Sequence, residues 1–246
     1  MSRSPAMTCW RRFRTQADAS GLNVRRVLPA ERVDPHFPAD HPAAPARLRP
    51  GYRRAVLLGS GGRTFWDAFQ SQAPGGRDAH PLDRYTVRMV EALAGTLREA
   101  DAGLVTAYPF AHARQIVPFR GLTRGLPEQQ MLPFGVALDA RYGPWFAWRA
   151  VLLTTLELPP EGLDAVSQCA ACPAPCVTAC PAGAVHKAGF ELAACTAFRI
   201  AAPTCRETCL SRLACPVAPD QRYGPAQMAF HYRASLASIL VPRGVP

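Results

Sequence analysis

The sequence predicts an α/β fold followed by a small cysteine-rich module and a C-terminal helix. Three observations lead there. Short apolar runs suited to buried strands (54–59, 104–108 and 145–153) alternate with segments of helical periodicity. Eight of the nine cysteines fall between Cys169 and Cys215. Beyond them, Gly224-Pro225 opens a last segment with Ala226, Met228, Phe230, Tyr232, Leu236 and Leu240 as its apolar positions. The expected organisation is an N-terminal Pro/Arg-rich segment (1–50), the α/β domain (51–160), the module (161–218) and a C-terminal helix (219–246) that packs back on the α/β domain.

A chain of 246 residues, 48% hydrophobic and 19% charged, can bury a sizeable core and is not composed like a disordered one. No apolar run reaches the length of a membrane span, so no membrane association is expected. The start, Cys9-Trp-Arg-Arg-Phe-Arg14, is similar to the opening of a twin-arginine export signal, but Thr15–Arg26 is polar where such a signal needs an apolar segment. The expected location is the cytoplasm, where thiols stay reduced. The formal charge of +10 invites a nucleic-acid reading. Lys187 is the only lysine, however, and the arginines are scattered through an Ala- and Pro-rich chain, as biased genome composition would give.

In order, Gly21–Arg32 holds one short strand (Val24, Val27, Leu28), and Pro35–Pro50 reads as an extended linker or a surface wrap. Arg54–Gly59 is a buried strand, Ser60-Gly61-Gly62-Arg63 a turn, and Phe65, Trp66 and Phe69 mark the helix after it. Such a turn can aim backbone N–H groups at a phosphate, although most only connect. Leu82, Tyr85, Met89, Val90, Leu93 and Leu97 recur at three- and four-residue steps, with Asp83 in the first turn: an amphipathic helix entered through His80-Pro81. Leu104–Tyr108 is the next strand, His112 lies in the loop after it, and a long loop over 116–134 carries Phe119, Arg120, Gly121, Arg124 and Gly125. The aromatic stretch Tyr142-Gly143-Pro144-Trp145-Phe146-Ala147-Trp148-Arg149 runs into Val151-Leu152-Leu153, apolar on both faces and therefore expected mid-sheet. Trp145, Phe146 and Trp148 are either core or, with Gly143-Pro144 turning the chain, the walls of a flat-cofactor pocket.

The module reads Cys169-Ala-Ala-Cys172-Pro-Ala-Pro-Cys176-Val-Thr-Ala-Cys180-Pro181, then Cys195, then Cys205-Arg-Glu-Thr-Cys209-Leu-Ser-Arg-Leu-Ala-Cys215-Pro216. Two sets of four, each closing on Cys-Pro, suit two [4Fe–4S] cubes, because each iron corner needs one thiolate. In bacterial two-cluster ferredoxins the cysteine before the proline serves the other cube. The same crossing here assigns Cys169, Cys172, Cys176 and Cys215 to one cluster and Cys180, Cys195, Cys205 and Cys209 to the other. The spacing is looser than in those ferredoxins, with three residues between Cys172 and Cys176 and nine between Cys195 and Cys205. Structural zinc and disulfides are the competing uses of the same cysteines. Cys9, far from the module, is a spare thiol. Two oxidised cubes at about −2 each would leave a net charge of roughly +6.

The stretch 142–149, running into Leu152-Leu153-Thr154 and then the cysteine module, resembles the epoxyqueuosine reductases. With His80-Pro-Leu-Asp-Arg-Tyr85 upstream and Gln221-Arg-Tyr223 downstream it is also similar to the CblC-type B12-processing proteins. The resemblance implies a nitroreductase-like α/β domain that cradles a corrinoid, beside a ferredoxin-like module, with Trp145, Phe146, Trp148, Arg141 and Gly143 as cofactor-binding candidates. Arg149 and Arg120 are further candidates for contacts to its periphery. Where both families carry a His-Pro pair, this chain has Asp139-Ala140, so no imidazole ligand to cobalt is expected there and Asp139 becomes a candidate proton donor. The implied activity is an oxidoreductase taking electrons from a ferredoxin- or flavodoxin-type donor protein, with cobalamin ahead of flavin as the second cofactor and a small molecule or tRNA as substrate. The alternative is an electron carrier or docking protein without chemistry of its own.

Overall fold

The computed structural model describes residues 5–72, 80–110, 116–124, 126, 130–162 and 168–240. The chain forms two compact units, the first built from residues 1–128 and 146–165, the second from 129–145 and 166–246.

The first unit is organised on a four-stranded antiparallel sheet in the order β1-β2-β4-β3, where β1 is Val24–Pro29, β2 Arg54–Gly61, β3 Val105–Ala107 and β4 Phe146–Thr154. Register aligns Val27 with Val56, Val56 with Leu152, and Leu152 with Thr106. As its two apolar faces predict, β4 is an inner strand, and Ala55–Leu58 and Ala150–Leu153 are fully buried. Alternation sends Ala55, Leu57, Val151 and Leu153 to one face, where they pack with Leu28, Val33, Tyr52, Val117 and Leu122. The amphipathic helix is present as Pro81–Arg98, and the turn after β2 leads into the helix Thr64–Gln72. One amide of that turn is already used: Gly61 N–H donates to Asn23 Oδ1 at 2.8 Å, while Asn23 Nδ2 donates to the Gly61 carbonyl.

Several local expectations need correcting. The N-terminal segment opens with a helix, Pro5–Ala19, which packs against Pro81–Arg98. It buries Trp10, Phe13 and Ala17 at helical spacing, with Trp10 and Phe13 stacked at 5.3 Å, and turns its arginines outward. Cys9 belongs to that buried face, its Sγ 3.9 Å from Glu99 Oε2. The 35–50 stretch is made of short turns, Asp34–His36 and Pro45–Leu48, rather than an extended linker. Phe119–Arg124 is a helix inside the expected loop. His112 and Gly125 lie outside the described residues, as do the side chains of Arg120 and Arg124.

The second unit contains the hairpin β5 (Val185–His186) and β6 (Gly189–Phe190), the helix Leu192–Ala201, helical turns at Pro175–Thr178 and Leu210–Leu213, and the helix Pro225–Leu240. The last helix belongs to this unit, where its Met228 packs with Trp145 and Tyr223. A second apolar group joins Leu132, Phe134, Leu138 and Val185 to Cys176 and Cys215. Among the described residues no helix is long and apolar enough to cross a membrane.

A buried carboxylate holds the far end of β4. Asp101 Oδ2 accepts from the Thr154 hydroxyl (2.7 Å) and the Thr155 amide (2.9 Å), and Oδ1 from Arg49 (3.0 Å). Burial pushes this carboxyl up, but these donors outweigh it and hold it below the usual carboxylate range. A depressed folded-state value contributes stability above the unfolded pKa and loses it as the pH falls. Replacing Asp101 with Asn is expected to cost about 1–3 kcal/mol at neutral pH. In denaturant titrations the gap between wild type and Asp101→Asn should stay constant above about pH 5 and shrink below about pH 4.

Candidate metal centres

The eight module cysteines converge as two groups. Cys169, Cys172, Cys176 and Cys215 line a cavity of about 460 Å³ together with Leu132, Pro133 and Lys187. Cys180, Cys195, Cys205 and Cys209 line a second, of about 210 Å³, with Phe134, Arg199 and Tyr232. Among the described residues neither lining contains a carboxylate or an imidazole. All nine cysteines are free thiols.

Local backbone geometry places the sulfurs. Cys172 N–H donates to the Cys169 carbonyl, and Pro175 starts the helical turn Pro175–Thr178 that carries Cys176; just beyond it, Cys180 N–H donates to the Val177 carbonyl. Cys195 projects from the first turn of Leu192–Ala201, and the turn Pro203–Cys205 ends on Cys205. Cys209 precedes the turn Leu210–Leu213, whose end delivers Cys215 to the first group.

The thiols influence one another within these groups. Burial pushes the Cys169 thiol above its ordinary range, and Cys215, Cys172 and Cys176 push it further. Burial likewise raises Cys176 and Cys215; an amide hydrogen bond from Val217, just past the Cys-Pro pair, opposes the shift at Cys215. In the other group burial raises Cys195 and Cys205; Arg199 pulls both back, whereas Cys209 and Cys180 push both up. Among the described residues no three His, Cys, Asp or Glu side chains stand close enough to hold a single metal ion.

The other predicted residues fall on both sides of the boundary between the units. Asp139 and Gly143 pair through two backbone hydrogen bonds of 2.9 Å. Asp139 is buried, and its Oδ1 accepts from the amides of Arg141 (2.9 Å) and Tyr142 (2.8 Å), which makes it the organiser of this turn. Gly143 has φ +57°, and a Cβ there would lie 2.6 Å from the Val217 carbonyl oxygen. Trp145 is fully buried against Tyr223 and Met228. Arg141 is exposed, its guanidinium 5.2 Å from the Tyr142 ring. In the first unit Phe146 is buried and meets the half-buried Trp148 edge to face at 5.4 Å; Arg26 lies over Trp148. Arg149 is buried and donates to Ser60 Oγ at 2.9 Å.

Two arginines join the site that the sequence reading passed over. Arg199 lies one helical turn after Cys195 and reaches into the second cavity. Arg212 is buried between the rings of Trp145 and Tyr223, 4.8 Å from each, donates to the Pro144 carbonyl and meets the Tyr232 hydroxyl, which in turn bonds Cys209. The spacings Cys195-x-x-x-Arg199 and Cys209-x-x-Arg212 were the available signals, because residues three and four apart share a helix face.

The chain matches no protein-family model and no curated protein. Its fold is similar to solved structures. An epoxyqueuosine reductase from Streptococcus thermophilus is 14% identical, with a TM-score of 0.54 over 85% of this chain and 66% of that one. A C. elegans B12-trafficking protein, CblC, is 14% identical, with a TM-score of 0.57 over 98% of this chain and 99% of that one. An epoxyqueuosine reductase solved with an epoxyqueuosine-modified tRNA stem loop is 13% identical, with a TM-score of 0.55 over 91% of this chain and 69% of that one. At these identities the likeness is one of fold, and that is the α/β fold the resemblance implied.

The Gly143 turn predicts a measurable asymmetry. Gly143→Ala combines left-handed strain with a backbone collision and is expected to cost about 2–4 kcal/mol in chemical denaturation. Gly51→Ala, at φ +71° with nothing within 4 Å of the added Cβ, should cost only the conformational part, about 1 kcal/mol.

Proposed function

We propose that this chain is an iron–sulfur redox protein that holds two [4Fe–4S] clusters and passes electrons to a pocket in its α/β unit, as a reductase similar to epoxyqueuosine reductase. In this reading Cys169, Cys172, Cys176 and Cys215 bind one cluster and Cys180, Cys195, Cys205 and Cys209 the other. The observation that carries it is the partition of the eight thiols into two groups, each around its own cavity, with the last cysteine of each run on the far side of the crossing. Four thiols around each cavity suit iron–sulfur chemistry. Zinc suits them less: its sulfur ligands, each about 2.3 Å from the ion, stand within about 4 Å of one another, and no such close group exists among the described residues. Cluster sulfurs bind different irons and stand wider apart.

The proposed occupant of the pocket is cobalamin, with flavin as the alternative; the fold likeness to a B12-trafficking protein supports cobalamin. Bound there, a corrinoid would supply a metal centre that accepts electrons one at a time. Trp148, half-buried, keeps surface for such a ligand, and Phe146 backs it. The protein offers no imidazole at 139, and Asp139, the candidate proton donor, already has Oδ1 held by two amides. A ferredoxin- or flavodoxin-type protein is the proposed donor. A tRNA or a small molecule is the proposed substrate, the tRNA on the strength of the complexed structure of similar fold.

One observation favours the alternative, an electron carrier or docking protein. Trp145 and Gly143 are taken up by packing inside the second unit.

Anaerobically reconstituted protein should carry about eight irons and eight sulfides per chain; stoichiometric zinc would overturn the reading. The crossing is tested by removing two ligands. Cys176→Ala with Cys215→Ala should lose one cluster and keep about four irons, whereas uncrossed ligation would cost both. Titration of the protein with cobalamin, followed by its absorption spectrum, separates reductase from carrier: an unperturbed spectrum leaves the carrier.

A further inference from the structure

Arg199 is 5% exposed, and its guanidinium is fully engaged. Nε donates to the Cys205 carbonyl (3.1 Å), Nη1 to Ser235 Oγ (3.2 Å) and Nη2 to the Tyr232 carbonyl (2.6 Å), with the ring of Tyr232 5.3 Å beneath it. Every one of these acceptors is neutral. Among the described residues no carboxylate pairs with it, in contrast to Arg25, equally buried, which binds both Asp18 and Glu161. Arginine stays protonated in proteins, and a buried charge given only neutral partners is costly. Three acceptors satisfy its hydrogen bonds but leave its charge uncompensated. The thiols that share its cavity are Cys180, Cys195, Cys205 and Cys209.

Resting on the cluster reading above, we propose that Arg199 is the fixed countercharge of the second cluster and raises the reduction potential of that cluster. Each reduction takes one electron from an external one-electron donor and adds one negative charge inside the four thiolates. A positive charge held at a set distance in a poorly solvated wall stabilises the reduced state more than the oxidised one. Among the described residues no arginine lines the first cavity: Lys187 on its rim is exposed to solvent screening, and Arg222, which acts on Cys215, is half-buried outside that lining.

The test is a dithionite-poised redox titration of the anaerobically reconstituted full chain, followed by electron paramagnetic resonance. Arg199→Gln should lower the reduction equilibrium constant of one couple about tenfold, 59 mV for a one-electron step, and leave the other in place. Arg199→Lys, which keeps the charge, should restore most of it. Because Arg199→Gln removes three buried hydrogen bonds, Ser235→Asp provides a second route: it sets a carboxylate against the guanidinium and should lower the same couple. Ser238→Asp, the same charge three residues on along the exposed face, should not. Eight irons with both couples unmoved in Arg199→Gln, or in Ser235→Asp if the Gln variant fails to assemble, overturns the inference and leaves the cluster reading standing. Wild-type protein that takes up no iron and sulfide overturns the cluster reading itself.

Discussion

Bringing four thiols into one small space is the constraint on which the second unit depends. Buried among their own kind, sulfurs resist ionisation, and five of the eight are pushed upward mainly by burial. Such an arrangement is stable as thiolates only when positive charge is supplied, by a bound metal core, by nearby cations or by both. The unit is built accordingly. Short proline-started turns present sulfurs with little intervening chain, and amides at Val177, Leu210 and Val217 point toward sulfur.

The crossing needs long-range support, because Cys215 is separated by nearly forty residues from the cysteines it joins. Arg212 supplies part of it. Its guanidinium, clamped between Trp145 and Tyr223 and bonded to the Pro144 carbonyl, ties the turn before Cys215 to the 139–145 segment. Gly143 completes the tie by letting that segment approach Val217 more closely than any side chain would allow. Asp139 shapes the same turn from within. Residues that look catalytic or cofactor-lining on a one-dimensional reading thus also have a packing reason to be what they are.

The first unit follows a different logic. Its inner strands are apolar on both faces, and helices and loops supply the covering. Asp101 is the polar exception, a carboxylate that collects the loose donors where β4 ends. The aromatic stretch straddles the two logics: Trp145 is core of the second unit, whereas Phe146, its neighbour, begins β4 in the first.

By itself the sequence determined the strands at 54–59, 104–108 and 145–153, the long helix after His80, and the number and spacing of the module cysteines. These are signals of period and spacing, which survive in one dimension because they arise from local geometry. The Pro5–Ala19 helix escaped notice because its apolar stripe of Trp10, Phe13 and Ala17 is thin among arginines and depends on a partner helix for burial. Tertiary structure alone decided which unit received Trp145, what filled the space above Gly143, and which partners the buried arginines found. Each of those depends on what lies across a gap in space rather than along the chain, and burial, the term that sets the energy of a charge or an indole, exists only once that gap has closed.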